Sequence, residues 1–174
     1  MVEANIEFWR RMASQFGGPV LELCCGAGAV ASAVAAMGLS VTGVDRDAAR
    51  LASARAEHDD LDVRWIAADV RELALPRRFG FVILAGNAFE AFEAFLERGD
   101  QDALLATARR HLAPEGVFGF DIDQRPGHDL ADDLEHLLDI AGFELVAQYG
   151  DWDFSRFRPA SERLITLCRL KAGA

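Results

Sequence analysis

The sequence predicts an open, doubly wound α/β sheet of seven strands, mostly parallel, with an antiparallel C-terminal edge. Three observations carry that prediction. Short apolar runs alternate with helical patterns through the first two thirds of the chain, as successive βαβ units do. The most apolar run, "FGFVILAG" (residues 79–86), has no polar alternation, as expected of a central parallel strand buried on both faces. The last third breaks the rhythm. "FELVAQYGDW" (143–152) and "ERLITLCRL" (162–170) are separated by a turn-rich stretch containing Pro159. No crossover helix fits between them, so they must pair antiparallel.

The elements follow in order. "MVEANIEFWRR" opens an amphipathic helix in which Ile6, Trp9, Ala13 and Phe16 share one stripe, a pattern that packs a core or covers a bound ligand. Residues 20–25 form the first strand, and residues 29–37 a helix ending at Gly38, a good C-terminal cap. A second strand (40–45) and a helix rich in Ala, Arg and Leu (47–57) come next. "VRWIAAD" (63–69) is the third strand and residues 79–86 the fourth. Helical sequence returns at residues 90–96 and again at 101–112, where Leu104, Leu105, Ala108 and Leu112 have core spacing. "PEG" (114–116) turns the chain into a fifth strand (117–122), followed by a helix over residues 128–141 and the final strand pair.

At 174 residues the chain reads as a single domain, with no internal repeat and no linker. Its hydrophobic share of 51%, with 12 Phe and 3 Trp, excludes a disordered chain. The net charge of −10 would repel a polyanion, which argues against a nucleic-acid substrate. No window approaches the ~18 apolar residues of a membrane span. The N-terminal stretch has no basic region followed by an apolar run, so no secretory leader is expected. Three cysteines, two of them adjacent, build no disulfide framework and predict a reducing, cytoplasmic setting.

The stretch "VLELCCGAGAV" (20–30) admits three readings. In the first, Cys24 and Cys25 form a redox or metal site. Adjacent cysteines close no ordinary disulfide and chelate one metal poorly, so they are better read as small fillers of a tight strand end. In the second, Gly26, Gly28 and Ala31 match the G-x-G-x-x-A of a nicotinamide-dinucleotide fold, with Asp45 to accept ribose hydroxyls. Glu22 inside the first strand and the antiparallel C-terminal pair count against that oxidoreductase reading.

The third reading uses those two features. "LELCCGAG" resembles the glycine-rich motif of class I S-adenosylmethionine-dependent methyltransferases, and the likeness continues in order along nearly the whole chain. "VTGVD" with "ARLASARA", "AADVREL", "ILAGNAFE", "HLAPEGVFGFDI" and the reversed C-terminal strand each resemble the corresponding family segment, those of the small-molecule branch at the end. The resemblance implies a Rossmann-like methyltransferase fold and S-adenosylmethionine as cofactor. It implies that Asp45 accepts both ribose hydroxyls. It also implies that Asp69 accepts from the adenine amino group while Val70 offers a backbone N–H. Glu22 would orient the loop or the ligand's ammonium. Gly26 and Gly28 would let the backbone approach the ligand, with Cys24, Arg46, Ala85 and Asn87 completing the cofactor set. The family motif usually has a glycine at the position of Cys24, where a small side chain is expected to fit.

On the acceptor side the resemblance implies a small-molecule methyl acceptor with an N or O nucleophile. Transfer from a sulfonium relies chiefly on positioning and a desolvated site. A base matters when the nucleophile arrives protonated. Glu90, Glu93, Asp121, Asp123, Tyr149 and Asp151 are the candidates near strand ends, each equally readable as a solvated acid, and Phe89, Phe92 and Phe95 could line a pocket or pack the core. His128, Asp132 and His136 share one helical face. Leu130, Leu134, Leu137 and Ala141 form the opposite stripe, so the polar face is expected to meet solvent, not a metal. Only "DQRPG" separates the fifth strand from the next helix, too little for the substrate-covering insertion frequent in that branch. Three explanations stay open: a partner subunit, such as a second copy in a homodimer, completes the site; the substrate forms its own lid; or the chain binds cofactor with little catalysis.

Overall fold

The computed structural model describes residues 2–86, 98–124 and 130–173. Seven strands, β1 (Val20–Leu23), β2 (Val41–Asp45), β3 (Val63–Ala67), β4 (Phe79–Leu84), β5 (Leu112–Asp123), β6 (Phe143–Tyr149) and β7 (Arg163–Leu170), form one sheet. Its order is β3-β2-β1-β4-β5-β7-β6. The helices are α1 (Val2–Phe16), α2 (Ala29–Ala35), α3 (Ala48–Glu57), α4 (Arg98–His111) and α5 (Leu130–Ile140). The helix expected over residues 90–96 lies outside the described residues.

The five strands β3, β2, β1, β4 and β5 pair parallel, and β7 pairs antiparallel with both β5 and β6. The antiparallel C-terminal edge is as the sequence predicts, with the reversed strand β7 lying between β5 and β6. Burial explains the choice: Leu164 to Cys168 of β7 are all buried, whereas β6 exposes Leu145 and Val146. The continuously apolar strand takes the covered position.

One departure concerns residues 114–116, expected as a turn. They belong to β5 as an irregularity: Phe79 pairs with Leu112 and Phe81 with Val117, so one residue on β4, Gly80, lies opposite four on β5. Pro114 gives no N–H to the ladder, and a bulge is where a strand tolerates it.

Each face of the sheet carries its own core. On one, Leu21, Leu23, Phe118 and Phe120 pack with Leu104, Leu105 and Ala108 of α4 and Leu134 and Leu138 of α5. On the other, Val20, Phe81 and Ile83 pack with Phe8, Trp9 and Ala13 of α1, Val30, Ala31 and Val34 of α2, and Leu51 and Ala54 of α3. Each large apolar side chain so covered contributes roughly 1.5–3 kcal/mol. Trp9 is fully buried, its ring 5.2 Å from Phe8 and 6.2 Å from Phe81, which makes it a packing residue, one of the two roles its stripe allows. Asp47 caps α3, its carboxylate accepting from the Ala49 and Arg50 N–H groups at 2.9 and 3.2 Å; such a cap is worth about 1 kcal/mol.

Candidate functional site

Parallel strands present their C-terminal ends to one edge, and this edge collects most of the predicted residues. Glu22 pairs with Gly43 of β2 and Ile83 of β4, so β1 ends between its two neighbours. Beyond Leu23 the chain turns sharply. The Cys25 N–H bonds to Val44 O at 3.0 Å and the Gly28 N–H to Cys25 O at 2.8 Å, which opens α2. Three residues of this turn have positive φ: Cys24 (55°), Gly26 (55°) and Gly28 (78°). Cys24 thus occupies a left-handed conformation that costs an ordinary L-residue roughly 1–2 kcal/mol. This is the position where the family motif carries glycine.

The ring of Trp65, on β3, fills the space under the turn. A Cβ on Gly28 would lie 2.3 Å from Trp65 Cη2, and one on Gly43 would lie 2.8 Å from Trp65 Cε3. These glycines are required by packing as well as by any ligand.

The two cysteines face opposite cores: Cys25 is buried against the α1–α3 side, and Cys24 packs against the α4–α5 side. Burial, and then the nearby Asp45 charge, push the Cys24 thiol up to about 12. Burial followed by the Glu22 charge raises Cys25 further still. Neither is a thiolate nucleophile at neutral pH, in keeping with their reading as fillers.

Three carboxyl groups line the edge, and each is held differently. Glu22 is 4% exposed. Burial pushes its carboxyl up to about 8 against the Ala31 backbone N–H, with Asp45 adding to the rise. Its Oε2 is buried without a hydrogen-bond partner. Asp45, at the end of β2, accepts the Gly26 N–H on Oδ2 at 2.7 Å and the Asp47 N–H on Oδ1 at 2.8 Å. The ribose candidate is thereby stitched to the glycine turn. Asp69 follows β3, and its carboxylate is gripped by Arg71: Nε donates to Oδ1 at 2.9 Å, Nη2 to Oδ2, and the Arg71 backbone N–H to Oδ1 at 2.9 Å. The Arg71 guanidinium holds Asp69 below the usual carboxylate range.

The remaining predicted residues divide. Arg46 is exposed, and its charge favours the ionised forms of both Cys24 and Asp69, which places it beside the turn. The Val70 side chain is buried in the core under the β3 loop. Ala85, half-buried, continues β4 to the same edge, and the next residue, Gly86, donates its N–H to Asp121 Oδ1 at 2.9 Å. Asn87, Glu90, Glu93 and the three Phe candidates lie outside the described residues, as do His128 and the side chain of Asp132; His136 is exposed.

Among the proposed bases, Asp121 is buried and holds the Gly86 N–H. Asp123 and Asp151 both pair with Arg163, at 3.5 and 3.2 Å. The Tyr149 ring packs 5.6 Å from both Phe8 and Phe154. Open grooves lined by Arg78, Arg109 and Arg110, and by Pro114, Glu144 and Lys171, lie at the opposite edge, where the parallel strands begin.

The residues that sequence reasoning missed are Trp65, Arg71, Asp100 and His111. The loop after β3 is clasped to α4 at three points. Arg71 Nη1 donates to Asp100 Oδ1 at 3.1 Å, Arg110 Nη1 to Leu73 O at 2.9 Å, and the Leu75 N–H to His111 Nε2 at 2.8 Å. The spacing of Asp69 and Arg71 within one turn was the available signal; the helix partners had none.

The arrangement suits a ligand with positive charge and many donors. An orphaned buried carboxyl oxygen on Glu22, a turn of left-handed backbone and two strand-end carboxylates fit an ammonium, a ribose and an adenine amino group. A pyrophosphate, by contrast, would meet three acidic side chains. Comparison with known proteins agrees. The family described as "Methyltransferase domain" matches residues 20–116. The chain is 31% identical over 158 residues, 82% of its length, to a probable S-adenosylmethionine-dependent methyltransferase of Mycolicibacterium smegmatis. It is 32% identical over 118 residues, 65% of its length, to the cypemycin N-terminal methyltransferase of a Streptomyces species. These matches span 58% and 47% of the two relatives. A crystal structure of a methyltransferase from Clostridium acetobutylicum, 15% identical, superposes with a TM-score of 0.85 over 98% of this chain and 92% of that one, a likeness of fold. The chain belongs to the class I S-adenosylmethionine-dependent methyltransferases, and its cofactor is S-adenosylmethionine.

Proposed function

We propose that this chain transfers a methyl group from S-adenosylmethionine to an N or O nucleophile of a small molecule. One observation carries the reading: three carboxyl groups lie at the C-terminal ends of three adjacent parallel strands, Asp69 just after β3, Asp45 at the end of β2 and Glu22 one residue before the end of β1, the last with an unpaired buried oxygen. Glu22 would meet the ligand's ammonium and Asp45 its ribose. Asp69 with the Val70 backbone would meet its adenine. Cys24, Gly26, Gly28, Arg46, Ala85 and Asn87 would complete the contact. When bound, the cofactor supplies an electrophilic methyl group on a sulfonium. The chain's own residues then orient it and keep water from the strand ends. Asp121, Asp123 and Asp151 are each engaged elsewhere, which favours an acceptor that needs no strong base, an amine in its neutral form. The name of the related cypemycin N-terminal methyltransferase supports the same choice.

A second reading, a cofactor-binding scaffold whose acceptor side a partner or second copy completes, is favoured by the brevity of residues 124–129 between β5 and α5. The three free cysteines favour a reducing cytoplasm, and we read the chain as one domain. No described helix is long and apolar enough to cross a membrane.

Calorimetric titration with S-adenosylhomocysteine tests the first reading, with Asp45→Ala and NAD as controls. Binding that is lost in the variant and absent for NAD supports it, and turnover across a panel of amines and phenols then separates enzyme from scaffold. No binding to the wild-type chain refutes both.

A further inference from the structure

Asp69 poses a physical problem. Its side chain is 30% exposed in a loop, so neither burial nor regular structure fixes the plane of its carboxylate. A carboxylate accepts in every orientation, but a mobile one must be ordered before it can meet a donor, and that ordering cost weakens its preference for a donor over an acceptor. Arg71 removes that freedom. Its guanidinium forks both carboxylate oxygens, and its own backbone N–H takes a third bond to Oδ1. A bidentate fork fixes orientation as well as distance. The guanidinium is itself braced, since Nη1 donates to Asp100 on α4 at 3.1 Å. The rest of the loop is anchored independently of Arg71, through Leu73 O to Arg110 and Leu75 N to His111. Arg71 is therefore the clasp that acts on Asp69 itself, and the other two hold the backbone.

We propose that Arg71, braced by Asp100, is the positioning residue of the base pocket: it sets the Asp69 carboxylate so that the loop after β3 accepts a purine with a 6-amino group and rejects one with a 6-oxo group. The inference rests on the reading that Asp69 meets the adenine. A 6-amino group donates to the held carboxylate. A 6-oxo group turns an acceptor toward it, leaving both lone pairs unmatched, and a site built around a fixed polar group rejects such a ligand strongly.

The test is calorimetry with S-adenosylhomocysteine and S-inosylhomocysteine on the wild-type chain, Arg71→Ala, Arg71→Lys and Asp100→Asn, each checked for an unchanged far-ultraviolet spectrum. The wild type should prefer the adenine ligand. Arg71→Ala should weaken the adenine ligand about tenfold, the size of one charge-assisted hydrogen bond, and leave the inosine ligand little changed. Asp100→Asn should give a smaller loss of the same kind. Arg71→Lys should recover part of the preference, since an ammonium restores the charge but not the fork. Equal weakening of both ligands would make Arg71 merely structural and overturn the proposal, as would unchanged preference in both Arg71→Ala and Asp100→Asn. Should Arg71→Ala fail to fold, Asp100→Asn decides alone, since it leaves the Asp69 fork intact. A wild-type chain that binds the adenine ligand and loses it in Asp45→Ala, yet shows no preference between bases, refutes only this inference; one that binds neither refutes the proposed function beneath it.

Discussion

Replacing Glu22 by Gln should flatten the pH dependence of stability in the ligand-free protein. The carboxyl is 4% exposed, and burial pushes it from an ordinary 4.5 up to about 8. Between those two values the folded chain keeps a proton that the unfolded chain has released, so stability falls as pH rises through this window and levels off above about 8. Each pH unit of the window is worth about 1.4 kcal/mol, which bounds the whole effect on the order of 5 kcal/mol. Gln is neutral throughout and escapes it. Its amide adds a donor that must find a partner, a cost that is constant with pH, so the slope and not the absolute stability carries the test. Urea unfolding of both proteins at pH 5.5, 7 and 8.5 measures it, and the variant should gain on the wild type by several kcal/mol from the lowest pH to the highest. A difference that stays constant, or shrinks as pH rises, would refute the argument that the buried Glu22 is protonated at neutral pH.

Two further predictions concern the turn. Gly28→Ala places a Cβ 2.3 Å from the Trp65 ring at a φ of 78°; overpacking and left-handed strain together should cost more than about 2 kcal/mol and lower the melting temperature by several degrees. Gly26→Ala, whose Cβ would meet only Arg50 Nη1 at 3.6 Å, should lose far less, and equal losses would refute the role of Trp65. At Cys24, with its φ of 55°, Gly should be tolerated within about 1 kcal/mol, because relief of strain offsets lost packing. Val at the same position should destabilise clearly, since a β-branched residue resists that conformation. Chemical denaturation of the two variants decides it, and a Val chain as stable as the Gly chain would mean that the strain is not there.

The strands were legible because each is a short apolar run. The parallel pairing of the first five strands followed from their alternation with helices; their order β3-β2-β1-β4-β5 comes from the structure. The placement of β7 inside β6 was not legible, since it depends on which of two strands packs better against β5, a contact between elements distant in sequence. The cysteine and glycine turn was located correctly, but its geometry was not: no sequence pattern says that Trp65, paired with Gly43 on the neighbouring strand, also fills the space under Gly28 beyond β1. Asp121 was read as a base candidate because it follows a strand. Only the fold reveals that its carboxylate takes the Gly86 N–H and so fixes the end of β4. Likewise Asp69 and Arg71 are visible as neighbours, whereas Asp100, which braces them, is remote in the chain.

Three acidic groups on neighbouring strand ends pose a problem that any ligand-free state must solve. Adjacent strands lie about 4.8 Å apart, so three full charges along β3-β2-β1 would repel one another in a partly desolvated edge. The protein answers differently at each strand. Glu22 is neutralised by burial, Asp45 is met by the backbone N–H groups of Gly26 and Asp47, and Asp69 is matched by the Arg71 guanidinium. On the proposed reading each answer also suits the part of the ligand that arrives there. A protonated Glu22 would release its proton to solvent as the ligand's ammonium arrives to pair with the carboxylate, so binding should be coupled to proton release at that end. Asp45 keeps its backbone partners, because each of its oxygens retains a lone pair for a ribose hydroxyl while the turn stays stitched. Asp69 stays ionised and held by Arg71 with or without the base. Proton release on binding is therefore expected at Glu22 on β1. The two outer strands offer carboxylates already held by the Gly26 and Asp47 N–H groups and by Arg71, whereas the buried Glu22 must ionise to meet an ammonium.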